Sequence, residues 1–123
     1  EHSMRVPLIV AGPGIAADKR SEAMCYLFDV MPTLGKLCGI ATPQGSNGRE
    51  FSSVLRDPAQ PGLPFLMFGY KTIQKALSDG RWKLIRYPHV DRTQLFDLQS
   101  DPFEIKDLSS EPAQAERIRA GGR

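Results

Sequence analysis

Apolar and polar positions alternate in several distinct ways along this chain. Residues Arg5–Ala11 (R-V-P-L-I-V-A) form a dense apolar run that ends at Gly12-Pro13-Gly14. A short continuous apolar run bounded by a turn signal predicts a buried strand. Such a strand needs neighbours on both sides and cover on both faces, so the run is expected to belong to a larger sheet, and the chain to be the tail of a longer protein. Ala16–Glu22 is polar and predicts a loop. Met24–Phe28 is apolar and predicts either a short strand or the lead-in to a helix. After it, Val30, Met31, Leu34, Leu37 and Cys38 recur at spacings of three and four, which predicts a helix with one apolar face. Asp29 is placed to cap it, Pro32 is tolerated in its first turn, and Gly39 is placed to end it.

The second half changes period. Thr42–Gly48 and the proline-rich Asp57–Pro64 predict loops, with Phe51–Leu55 as one helical turn between them. Phe65–Tyr70, Thr72–Leu77, Arg81–Tyr87 and Thr93–Leu98 predict four strands. They are joined by short turns at Lys71, Ser78-Asp79-Gly80 and Pro88–Arg92, and the Asp-Gly pair favours a tight hairpin. Consecutive strands on short turns predict an antiparallel meander. Pro112–Arg119 predicts a closing helix. The fold class is therefore α+β: a small, about four-stranded antiparallel sheet with a packed helix. It is preceded by a strand–helix piece that has no complete sheet of its own. The expected division is residues 1–45 for that piece and 46–123 for the small domain.

Composition narrows the function classes. The 123 residues carry 16 basic and 14 acidic side chains, a net charge of +2, too balanced to imply nucleic acid or an anionic membrane as partner. The longest apolar candidate, Val6–Ile15, is interrupted by Pro7, Gly12, Pro13 and Gly14 and is shorter than the ~20 residues of a membrane span. Arg81, Lys83, Arg86 and Arg92 raise the thought of a phosphate-binding stripe, but alternation along a strand explains them as a solvated face. Cys25 and Cys38 lie in apolar settings without Cys-x-x-Cys spacing and read as buried free thiols. Trp82 reads as packing between sheet and helix, and His89 as a turn residue. Asp97, Asp101 and Glu104 lack the glycine and regular oxygen spacing of a calcium loop and read as turn carboxylates.

Four blocks in order carry a family resemblance. E-H-S-M-R-V-P-L-I-V-A-G-P-G-I resembles the segment after the catalytic lysine of sulfatases. F-D-V-M-P-T-L-G-K-L-C-G-I resembles the helix that follows it. S-D-G-R-W-K-L-I-R-Y and Q-L-F-D-L-Q-S-D-P-F-E-I-K-D-L resemble the C-terminal hairpin and closing strand of the same enzymes. The likeness is to the C-terminal portion of arylsulfatase-like and choline-sulfatase-like members. It implies a parent of alkaline-phosphatase-like fold that hydrolyses sulfate esters with a formylglycine nucleophile, made from a C-x-P-S-R type motif, and a calcium ion. It also implies that the partner of this piece is the large N-terminal sulfatase domain, and that the parent's substrate is a sulfated small molecule or glycan.

None of that machinery stands in this sequence. Cys25 is followed by Tyr26-Leu27-Phe28 and Cys38 by Gly39-Ile40-Ala41, so neither matches the nucleophile motif. No catalytic residue or metal ligand is expected here, and the chain alone is expected to be inactive. The resemblance makes His2, Tyr70 and Gln74 candidate substrate contacts. His2 follows the expected lysine closely. Tyr70 and Gln74 lie in Y-K-T-I-Q-K-A, where similar sulfatases carry a tyrosine and a Q-R-A-like run, with Lys75 in place of arginine. A strand-side hydrogen bond for His2 and a solvated strand face for Gln74 remain the competing readings. Two other functions stay open: a phosphoester or phosphonate hydrolase of the same superfamily, and a non-enzymatic module that binds carbohydrate or protein. The uncovered apolar faces of Val6–Val10 and of the Val30–Cys38 helix predict a homo-oligomer of the isolated chain.

Overall fold

The computed structural model describes residues 4 to 121. They form two compact units. One is Pro7–Pro64, and the other is made of the described residues before and after it.

In the unit Pro7–Pro64, a 3-10 turn at Leu27–Asp29 leads directly into helix α1, Val30–Cys38. Met24–Phe28 is therefore the approach to a helix and not a strand. Asp29 is not the side-chain cap of α1. It is 2% exposed, and its Oδ2 accepts the Tyr26 N–H at 2.8 Å while Oδ1 accepts the Arg49 N–H at 2.8 Å. One turn on, the Thr33 hydroxyl donates to the Asp29 carbonyl at 2.7 Å and accepts the Phe51 N–H at 3.1 Å. These two side chains tie the start of α1 to the segment that leads into helix α2, Ser52–Arg56. Gly39 ends α1 with φ 69°, and the Ile40 N–H reaches the Gly35 carbonyl at 2.8 Å, a left-handed stop that glycine makes without strain. Gly48 and Gly62 allow backbone to touch backbone: a Cβ on Gly48 would collide with the Phe28 carbonyl, and one on Gly62 with Met24.

The expected strand at Arg5–Ala11 is not formed. The run pairs with no strand among the described residues, and Ile9 is 92% exposed. A strand exists only where its N–H and C=O groups find a ladder, and apolar composition alone does not supply one. The turn after it is present, with the Ile15 N–H on the Gly12 carbonyl at 3.2 Å.

The other unit is an antiparallel meander of β1 (Leu66–Tyr70), β2 (Gln74–Ser78), β3 (Trp82–Tyr87) and β4 (Arg92–Asp97), in sheet order 1-2-3-4. The register Phe68↔Ala76↔Ile85 and Lys83↔Phe96 fixes which side chains share a face. One face carries Ala76, Ile85 and Phe96, packed with Phe68, Tyr87 and Leu98. The opposite face carries Leu77, Leu84 and Leu95, which are cross-strand neighbours. Helix α3, Ala115–Ala120, follows a 3-10 turn at Pro112–Gln114 and lies on this second face. Gly121, just past its end, sits against Leu84 and Leu77, and Arg86 Nη2 donates to the Ile118 carbonyl at 3.3 Å. Arg117 stacks over Trp82 with its Cζ 4.0 Å from the ring centroid, so the indole is a sheet–helix packing residue. The free edge of β4 is covered. The Leu95 N–H is accepted by Asp107 Oδ1 at 3.1 Å, and the Leu108 N–H reaches the Leu95 carbonyl at 2.8 Å, which blocks pairing with another chain.

The basic residues of β3 are not a uniformly solvated face. Lys83 is 3% exposed and forms an ion pair with Glu104. Both faces of β3 are covered, so alternation along it does not separate buried from wet positions. The cysteines are free, as expected, but Cys38 is exposed and Cys25 only half-buried.

Candidate functional site

Of the three substrate-contact candidates, two meet. Tyr70 and Gln74 close the β1–β2 hairpin as direct cross-strand partners, so their side chains share one face of the sheet. The turn between them places Lys71 at φ 51°, a left-handed conformation uncommon outside glycine and asparagine. Tyr70 is 61% exposed, with the Lys71 Nζ 5.8 Å from its ring centroid. His2 lies outside the described residues.

Gln74 is half-buried and its Nε2 faces the Tyr87 hydroxyl oxygen at 3.5 Å. The Tyr87 hydroxyl donates to Gln94 Oε1 at 3.0 Å. The β3–β4 turn comes to the same end of the sheet. There His89 Nε2 lies 3.2 Å from Thr72 Oγ1, and Asp91 holds φ 45°. Two turns with strained non-glycine residues thus flank a polar, aromatic patch. Turns held by a rigid sheet are common locations for binding groups.

Several other titratable groups are engaged in structure. The Arg81 guanidinium grips Asp97 through two bonds, Nε to Oδ1 at 3.1 Å and Nη2 to Oδ2 at 2.9 Å, and holds its carboxyl below the usual range. Asp101 is held low by the backbone N–H groups of the loop after it, Lys106 foremost. Burial pushes the Cys25 thiol up, and the Asp29 carboxylate adds to the effect, the opposite of an activated nucleophile. No group of three or more His, Cys, Asp or Glu side chains converges on a metal position among the described residues. Among the described residues neither a calcium site nor a formylglycine precursor fits.

Sequence reading missed Tyr87 and Gln94 as companions of Gln74. The signal available was register: a Gln on β2, a Tyr on β3 and a Gln on β4 fall on one face once the hairpin turns are aligned. It also missed the burial of Lys83, whose partner lies 21 residues away in the irregular segment after β4.

The family model described as N-sulphoglucosamine sulphohydrolase, C-terminal, matches residues 1–120. The chain is 36% identical over 121 residues to choline-sulfatase of Rhizobium meliloti (strain 1021), covering 91% of this chain and 23% of that protein. It is 30% identical over 125 residues to arylsulfatase K of Mus musculus, covering 90% and 23%. A solved structure of a putative sulfatase from Bacteroides thetaiotaomicron superposes with a TM-score of 0.75 at 26% identity, over 90% of this chain and 26% of that one. The chain thus spans about 23% of the length of these curated relatives, and in chain order its elements are α1, α2, the four-stranded meander and α3. This chain belongs to the family of N-sulphoglucosamine sulphohydrolase C-terminal domains.

Proposed function

We propose that this chain is the C-terminal part of a sulfuric ester hydrolase, and that the larger polypeptide hydrolyses sulfate esters. The observation that carries this reading is the match of one sulfatase C-terminal family over residues 1–120, together with similarity to sulfatases of about four times the length. In this reading the formylglycine nucleophile and the calcium ion belong to the large N-terminal sulfatase domain. The chain supplies no group to either, and by itself it does not turn over a sulfate ester.

Two tasks fall to the chain. It braces the N-terminal domain, a role supported by the exposed Leu27, Phe28, Met31, Leu34 and Ile40 around α1. Apolar groups collected in this way are more than a lone soluble unit needs. It also shapes the substrate pocket, a role supported by the pairing of Tyr70 with Gln74 at a hairpin end.

The test compares the complete polypeptide that carries this segment with the 123-residue chain. Each is assayed on aryl sulfate, aryl phosphate and aryl phosphonate esters. The reading expects the complete polypeptide to favour the sulfate ester in kcat/KM and the chain to match an unrelated protein control. Preference for the phosphate or phosphonate ester would move the parent to the other hydrolase class.

A further inference from the structure

The chain holds one asparagine, Asn47, and a glycine follows it. An asparagine side chain and the amide nitrogen of the next residue can close a five-membered ring, and a glycine at that next position puts no Cβ in the way. Asn47 is exposed to water. Among the described residues, the Gly48 N–H donates to no acceptor. The backbone on either side is held. The Ser46 N–H reaches the Pro43 carbonyl at 3.3 Å, and the Arg49 N–H donates to Asp29 Oδ1 at 2.8 Å. Gly48 itself cannot give way to a bulkier neighbour that would slow ring closure. A Cβ there would collide with the Phe28 carbonyl and meet Pro32 Cγ at 2.9 Å. Packing against the start of α1 therefore requires the residue that leaves Asn47 reactive.

The pair Asp79-Gly80 carries the same sequence signal and is built differently. Asp79 Oδ1 accepts the N–H groups of Arg81 and Trp82 at 3.0 and 2.6 Å, and the Gly80 N–H donates to Ser78 Oγ at 3.3 Å. Both reacting groups are engaged in the β2–β3 turn, whereas the Gly48 nitrogen is not.

We propose that Asn47 is a site of spontaneous deamidation that loosens the start of α1. The Gly48 nitrogen attacks Asn47 Cγ and gives up its proton. Ammonia leaves with that proton, and a succinimide remains. Water then adds to either ring carbonyl and breaks that carbonyl's bond to nitrogen, giving aspartate or isoaspartate. Isoaspartate places one more carbon in the main chain before Gly48. Gly48 already lies too close to the Phe28 carbonyl to admit a side-chain carbon, so the added length is taken up at the bond from the Arg49 N–H to Asp29. That carboxylate is 2% exposed, and a buried acceptor that loses a donor is destabilising. The inference does not depend on which ester the larger polypeptide hydrolyses.

The test ages the complete polypeptide in its native state, in neutral and in mildly alkaline buffer. Trypsin then releases residues 37–49 and 76–81 as separate peptides. They are read by mass spectrometry and by labelling with an isoaspartyl methyltransferase. The expected result is conversion of Asn47 to isoaspartate and aspartate, faster in the alkaline buffer, with peptide 76–81 unlabelled. Asn47→Gln would need a six-membered ring and stays unconverted. In the isoaspartyl form the Arg49 amide exchanges about tenfold faster, the worth of one hydrogen bond. Asn47→Asp adds the charge without the extra carbon and keeps the wild-type exchange rate. An Asn47 that stays intact in the native polypeptide, over the time in which the urea-unfolded polypeptide converts it, overturns the proposal. So does aspartate without isoaspartate, which marks direct hydrolysis. Equal labelling of peptide 76–81 overturns the part given to hydrogen bonding, and unchanged Arg49 exchange in the isoaspartyl form overturns the effect on α1.

Discussion

Lys83 of β3 and Glu104 of the segment after β4 form an ion pair on the face of the sheet that carries Phe96 and Ile85. The lysine is almost wholly buried, and the glutamate reaches it from a backbone at φ 57°. A non-glycine residue in that conformation costs of order 1 kcal/mol or more, and it persists where surrounding contacts over-determine it. The pair fastens the irregular segment between β4 and α3 to the sheet.

Removing one partner leaves a buried charge uncompensated. Lys83→Met or Glu104→Gln is expected to lower stability by about 3–5 kcal/mol, read as a lower urea midpoint. The double variant Lys83→Met with Glu104→Leu is expected to recover much of that loss, because two apolar groups leave no stranded charge. Additive losses in the double variant would show that the pair is not coupled.

Acid should weaken this unit. Burial would raise the Glu104 carboxyl, but contributions that include the hydrogen bond and charge of Lys83 outweigh it, and the net value lies below normal. Asp97, Asp101 and Asp107 are also lowered. A carboxyl lowered in the folded state contributes stability that is full above its unfolded value, about 4 for these residues. That stability is lost as pH falls through the folded values. Urea midpoints are expected to be flat from about pH 6 to 8 and to fall below about pH 4, with a shallower fall in Glu104→Gln. An equal acid slope in that variant would remove Glu104 from the explanation.

Asp29 and Thr33 set the geometry of the other unit. Asp29→Ala strands the N–H groups of Tyr26 and Arg49, and the expected loss is about 2–4 kcal/mol. Thr33→Val removes the hydroxyl that accepts the Phe51 N–H, with an expected loss of about 1–2 kcal/mol. Amide exchange at Arg49 and Phe51 reads each contact separately. Unchanged protection at Arg49 in Asp29→Ala would contradict the assignment.

The exposed apolar side chains of α1 predict self-association of the isolated chain. Multi-angle light scattering across a range of concentration is expected to show dimers or larger species. Met31→Glu with Leu34→Glu is expected to shift them toward monomer, since both side chains are exposed and no buried contact is lost. A wild-type chain that stays monomeric throughout would argue that these side chains need no cover.

The four strands, α1 and the closing helix were legible in the sequence because each carries local signals: period, turn residues, and Gly39 as a stop. The run at Arg5–Ala11 was misread because composition reports burial preference and not the presence of a ladder partner. Asp29 looked like a cap since it precedes a helix, yet its oxygens go to N–H groups off the helix, one of them on Arg49. The burial of Lys83, the hydrogen bonds of Tyr87 with Gln74 and Gln94, and the contacts of Asp107 and Leu108 with Leu95 depend on register and on a return of the chain to the β4 edge, which no local pattern encodes. Tyr70 and Gln74 are candidates by resemblance, and the structure brings them into direct register.

The most direct measurement of the central claim is the coding sequence that precedes Glu1, together with mass spectrometry of the polypeptide it encodes. A C-x-P-S-R type motif whose cysteine carries the formylglycine aldehyde is the predicted result. An upstream region with an unmodified serine or threonine nucleophile motif, and no such cysteine or serine converted to the aldehyde, would contradict a sulfatase parent.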